Sequence, residues 1–313
     1  MIVNHANMLE LFRGFDAIFN KAYNAPVDPA DAETLRLDDF AMEVVSTSGS
    51  MDHTWLGQLP AFKKWVGSRT VKQLDLGRIT VVNDSFESTV SVPRTAIEDD
   101  SYGAFANLFT AMGANGADLW RSLAVQAILA NGDWADGNPF YCAGRVLAEG
   151  CTVTNAVTTA FSAAALEAAI ASMRSTVLPG GRSANVLPKL LIVGPSNMAA
   201  ARRIVNGDLV ANDGVAESNP LKGIVRLRCC NEFSGEHAGR WQLEGAIAGV
   251  RGVCVQKRKE AKLTVQDRDG DDCVFNDNEV RYGSDARGAA FLTLPFLSYA
   301  GGLASVADWA AAD

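Results

Sequence analysis

The chain has 313 residues, 48% of them hydrophobic, with 28 basic against 36 acidic side chains for a net charge of −8. That length supports a large core and about two domains. The acidic balance argues against a dedicated nucleic-acid binder, which would show a broad basic surface.

The first residues lack the basic stretch and continuous apolar core of a signal peptide. No apolar run approaches the ~18 residues of a membrane helix, so no membrane partner is expected. Six cysteines in a long chain without a secretion signal read as reduced thiols. Adjacent Cys229 and Cys230 on a strand would face opposite sides.

In chain order, Met8 to Tyr23 carries apolar side chains at 8, 11, 12, 15, 18 and 19, the spacing of a one-striped helix. Pro26 and Pro29 separate it from the rest of the chain. A helix this short needs a surface to lie on: its own domain, or a neighbouring subunit. Met42–Ser50 reads as a strand running into a flexible turn. Trp55 to Gly67 is apolar and aromatic, and Ile79–Val92 returns as β-structure with Phe86, Ser88, Val90 and Val92 on one face. Together these outline an excursion from a compact body, whose large aromatics would be costly unless another chain covered them. The longest helix is expected from Glu98 to Asn131, its acids suiting a positively polarised N-terminus. Gly103, Gly113 and Gly116 inside it mark a bend or a close crossing. Helix and strand then alternate: a helix over Ser162–Val177, a buried strand over Leu187–Gly194, a helix over Met198–Asn206. Further strands are expected at Gly223–Cys230, Trp241–Ala246 and Gly252–Gln256. Ala261–Val265, Val280–Tyr282 and Ala289–Leu297 are strand-like again and are expected to pair with the first domain.

Catalytic chemistry is hard to find. His5, His53 and His237 are far apart, and no metal-protease, paired-cysteine or P-loop motif occurs. Gly194-Pro195-Ser196 resembles a nucleophile elbow but lacks its second glycine, so Ser196 reads better as the cap of the next helix. Asp267 to Asp272 invites a calcium reading. Yet Gly270 stands fourth rather than sixth and Asn278 takes the twelfth place, which fits a solvated turn better. No catalytic residue, cofactor or metal ligand is assigned.

Four segments carry a resemblance: the amphipathic start, Trp55 to Asp100, Val255-Gln256-Lys257-Arg258-Lys259, and Val280-Arg281-Tyr282-Gly283-Ser284-Asp285-Ala286-Arg287. Their order resembles the major head proteins of Mu-like phages and prophages, the gene T product family. The resemblance runs over nearly the whole chain and is weakest from Tyr141 to Ala248. It implies an α+β fold of the Hong Kong 97 capsid type. Residues 1–44 would be an N-terminal arm and 45–85 an extended loop. Residues 86–140 would form a peripheral domain with a spine helix, 141–249 an axial domain, and 250–313 a return to the peripheral domain. It also implies a non-enzymatic shell subunit forming hexamers and pentamers around double-stranded DNA in the virion, assembled in the host bacterial cytoplasm. Partners would be a separate scaffolding protein, a portal and, as an optional extra, a decoration protein. Residues expected at subunit contacts are Phe12, Phe15 and Phe19 of the arm, Trp55, Phe62 and Trp65 of the excursion, and Lys257, Arg258 and Lys259. An encapsulin-like cargo shell is the alternative of the same fold; a cytosolic α/β enzyme is the alternative from another class.

Overall fold

A computed structural model describes residues 5–25, 33–55, 77–99, 104–148, 151–178, 181–212, 215–247, 249–268 and 270–308. The chain opens with helix α1 (His5–Tyr23), a short helix α2 (Leu37–Phe40) and strand β1 (Ala41–Val45). An antiparallel hairpin of β2 (Ser50–Trp55) and β3 (Gly77–Val82) comes next, then β4 (Asp84–Pro93), α3 (Arg94–Asp99) and the 27-residue spine helix α4 (Ala104–Ala130). Glu98 and Asp99, expected to open the spine, instead end α3, and the residues between the two helices, Asp100 among them, lie outside those described. The apolar spacing of the long segment does produce one long helix, whose inner stripe is Phe109, Met112, Trp120, Ala124, Val125 and Ile128.

Short strands β5 (Cys142–Ala143), β6 (Arg145–Ala148) and β7 (Cys151–Val153) lead to helix α5 (Ala163–Arg174), whose N-terminus is capped by the Ser162 side chain. Strands β8 (Val177–Leu178) and β9 (Arg182–Ser183) form a small hairpin before β10 (Leu187–Val193). Helix α6 (Pro195–Asn206) begins with Pro195 in its first turn and Gly194 as cap, two residues before the Ser196 cap expected. A hairpin β11 (Leu209–Asn212) and β12 (Val215–Ser218) precedes β13 (Arg226–Cys229), β14 (Trp241–Ile247) and β15 (Val250–Arg251). Two long strands, β16 (Val253–Gln266) and β17 (Glu279–Leu292), flank the short helix α7 (Asp272–Asp277). The chain then gives β18 (Ser298–Gly301) and β19 (Ala307–Asp308).

Two sheets organise these elements. One has the order β1-β16-β17-β4, with β1 parallel to β16 and the rest antiparallel. The other has the order β13-β10-β14-β15, with β18 also paired to β14. From Leu190 to Val193, strand β10 is buried on both faces, as its apolar run there requires. Leu191 and Val193 enter a core with α5, α6, Trp241 and Leu243. Leu190 and Ile192 enter a second core with the spine residues Trp120, Val125 and Ile128 and with Val253 and Val255 of β16. The neighbouring cysteines obey the same alternation: Cys229 packs on the first core and Cys230 sits in the second. None of the six cysteines is joined in a disulfide.

The C-terminal segment departs from expectation. Its long strands do join the first sheet, but Phe296, Leu297 and Tyr299 enter the α5/α6 core, and β18 pairs with β14. The described residues of 250–308 therefore serve both sheets, because a run of apolar residues after Leu292 fills the exposed side of β14. Truncating fully buried Leu297 to Ala should cost about 2–5 kcal/mol. Amide exchange should rise in β14 before it rises in β16; the reverse order would return this segment to the first sheet alone.

Candidate assembly interface

The arm helix lies on the spine helix of its own chain. Phe15 stacks on Phe109 with ring centroids 4.2 Å apart and meets the edge of Tyr282 at 5.7 Å. Phe19 is fully buried in the same cluster, and Phe12 is half-buried at its margin. The approach is close because Gly113 lies at the crossing: a Cβ there would stand 2.4 Å from the Phe19 carbonyl oxygen. Gly113 and neighbouring Gly116 thus mark a close crossing, one of the two readings their positions allowed. Phe15 and Phe19, two of the arm residues expected at subunit contacts, pack on the apolar stripe of the spine within this chain.

A polar latch ends the arm. The Tyr23 hydroxyl donates to Glu260, to which Trp120 Nε1 also donates at 3.3 Å. Burial first, and Glu260 second, push the Tyr23 hydroxyl up to about 12, so it stays a donor at neutral pH. Lys257 pairs with Glu43 at 2.9 Å and Glu260 at 3.4 Å, and stands 5.5 Å from the centre of the Trp120 ring. Arg258 donates to the Ser46 carbonyl at 3.3 Å, and Lys259 pairs with Asp285. β16 bulges between Lys257 and Lys262, and within this chain the basic cluster expected at a subunit contact meets carboxylates of β1 and β17 through Lys257 and Lys259 and the Ser46 carbonyl through Arg258.

The excursion is rooted differently. His53 Nε2 and Gln256 Oε1 are 2.6 Å apart, and Gln256 Nε2 donates to Asn83 Oδ1 at 2.7 Å. Asn83 in turn donates to Ser46 Oγ and to the Ser48 carbonyl. His53 packs on Phe291, with ring centroids 4.6 Å apart, over Val81 and Cys254. Both ends of the hairpin are thereby hydrogen-bonded to one glutamine of β16, a constellation that no local motif announced. Trp55 ends β2, its backbone paired with Gly77. Phe62 and Trp65 lie outside the described residues.

Among the described residues there is no group of three or more His, Cys, Asp or Glu side chains that could hold a metal, and no helix long and apolar enough to cross a membrane. The acidic run near Asp267 is a turn and a short helix between β16 and β17, ended by Asn278 in the left-handed conformation.

A family model described as Mu-like prophage major head subunit gpT matches residues 8–158 and 151–231. The chain belongs to this head-subunit family. Over 87 residues it is 40% identical to the major capsid protein of Escherichia phage Mu, a stretch covering 28% of this chain and 26% of that protein. Over 105 residues it is 31% identical to the Mu-like prophage FluMu major head subunit of Haemophilus influenzae, covering 33% of this chain and 34% of the relative. The matched stretches thus span about a quarter to a third of these relatives. The subunit of the bacteriophage JBD30 procapsid superimposes with a TM-score of 0.56 at 19% identity, over 95% of this chain and 75% of that one. The capsid subunit of a native GTA particle does so with a TM-score of 0.58 at 12% identity, over 90% and 97%. The fold of the head subunit is accordingly the Hong Kong 97 capsid type, α+β as expected, and the family is structural rather than enzymatic.

Two substitutions test this geometry. Gly113→Val should cost about 1–3 kcal/mol by overpacking and lift the arm from the spine, exposing Arg13 and Lys21 to trypsin. Wild-type protease resistance would refute the close crossing. Gln256→Leu leaves buried partners unpaired, at about 1–3 kcal/mol. Amide exchange in β2 and β3 should then accelerate ahead of that in β10; unchanged protection of the hairpin would refute the clamp.

Proposed function

We propose that this head subunit self-assembles into hexamers and pentamers of a closed icosahedral shell around double-stranded phage DNA. Assembly takes place in the host bacterial cytoplasm, with scaffolding protein and portal as separate partners. The observation that carries the reading is the family match over residues 8–231 together with a capsid fold spanning both sheets. The net charge of −8 is compatible with it, because a container's inner wall needs no affinity for its contents. A virus-like particle subunit from Pyrococcus furiosus shares the fold with a TM-score of 0.54 at 12% identity, over 93% of this chain and 99% of that one. Fold alone therefore leaves a cargo shell open, and the family match favours the phage head.

Within this proposal, the arm stays on its own spine, and Trp55, Phe62 and Trp65 supply contact between subunits. Electron microscopy of the purified protein, with and without phage scaffolding protein, tests the reading: closed shells are expected, and a persistent monomer under both conditions would end it. Trp65→Ala should abolish shells while the free subunit keeps its melting temperature, since loss of a covered Trp costs about 3–5 kcal/mol at each contact. Unchanged shells would remove Trp65 from the interface.

A further inference from the structure

Strand β14 presents apolar Trp241 and Leu243 to one core, whereas its other face carries a charged and polar stripe: Arg240, Gln242 and Glu244, all buried. Three chain crossings between the two sheets meet on this stripe. At the first, the end of the spine helix, Arg240 donates to the Ile128 carbonyl at 2.9 Å and stands over the rings of Tyr141 and Phe233. At the second, between β15 and β16, Gly252 presses on Glu244: a Cβ there would lie 2.7 Å from Glu244 Oε2. At the third, between β17 and β18, Ser298 donates to Glu244 Oε1 at 2.6 Å and accepts from Gln242 at 2.6 Å. The Tyr141 hydroxyl accepts from Gln242 at 2.8 Å and lies 2.9 Å from Ser298 Oγ. Glu244 Oε1 also receives Gln242 at 3.1 Å, but among the described residues the buried Oε2 has no hydrogen-bond partner.

We propose that this stripe is a proton-operated joint between the two sheets, clamped while Glu244 is a neutral acid and loosened when it gives its proton to solvent. An orphan oxygen is tolerable on a neutral carboxylic acid and costly on a carboxylate, which must draw in water or a donor. Water reaches Oε2 only if the Gly252 or Ser298 crossing moves away, so ionisation and opening are one event.

The titratable groups around Glu244 are few. Arg240, just before the strand, has its guanidinium pushed down by burial and drawn back up by Tyr141 and Glu244. Tyr141, from the connection after the spine, has its hydroxyl pushed up by burial and then by Glu244, so it stays protonated. Among the described residues, the crossings contribute Ser298 and the Gly252 backbone. Glu236 and His237 line the cavity beside Tyr141 and Arg240. Burial raises Glu244 from 4.5 to about 8, outweighing its bonds to Ser298 and Gln242 and the charge of Arg240. The closed joint thus holds the proton more tightly than the open, hydrated one. Closure is therefore fully favoured below 4.5 and loses ground until the pH passes about 8.

The test is amide exchange of the full chain from pH 5 to 9, corrected for intrinsic rates. Protection at Gly252, Thr293 and β18 should fall by up to ~10-fold per pH unit and level off above about 8, while the centre of β10 changes less. Glu244→Gln should make the profile flat. A flat wild-type profile, or the same slope in Glu244→Gln (which would implicate His237), overturns the proposal. Should that variant not fold, difference infrared spectroscopy of the wild type decides. A protonated-carboxyl band that persists while protection falls and is lost only near about 8 supports the joint; no such band, or a band already lost before protection falls, overturns it.

Discussion

Strand β10 has to be apolar on both sides because it separates two cores, and the rest of the molecule is arranged around that wall. Leu191 and Val193 fix the positions of α5 and α6 on one side, while Leu190 and Ile192 receive the spine helix on the other. Strand β14 continues the wall with a difference. Its outer face is as apolar as that of β10, but its inner face is polar, so the seam between the cores at that point is held by directed bonds rather than by packing. Apolar packing tolerates small sliding; a network of Tyr141, Gln242, Ser298 and Glu244 does not, since each partner lost leaves another buried group unpaired.

The two peripheral elements, arm and hairpin, contrast in the same way. The arm is held by burial of Phe15 and Phe19 against the spine, a non-directional attachment made close by Gly113. The hairpin is held by His53, Asn83 and Gln256, a directional attachment that sets the angle at which it leaves the body.

Much of the architecture was legible through order and composition: an amphipathic start, an aromatic excursion, a long helix, a mixed α/β stretch and two late strands. The particular contacts were less so. Lys257, Arg258 and Lys259 read as a basic cluster for a subunit contact, and a run of three cations in a strand does not reveal that they also meet Glu43, Ser46 and Asp285 of their own chain. The phenylalanines of the arm announced that they would be covered but not by what. Glu244 and Gln256 gave no signal at all: a single Glu or Gln within a strand is ordinary, and only the arrival of residues far away in the chain makes it buried and paired.

The residues by themselves determined what periodicity and family pattern can carry: the amphipathic helices, the double-faced strand at Leu187–Val193, the alternation of Phe86 to Val92, the family and its capsid fold. Those features depend on neighbours within one or two turns, or on the order of whole segments along the chain. The tertiary structure alone decided that the spine begins at Ala104, that β18 leaves the first sheet for the second, that the arm folds back on its own spine, and that a buried acid stands where three crossings meet. Each of these turns on contacts between segments far apart in the chain, and no local spacing encodes which distant surface lies nearest.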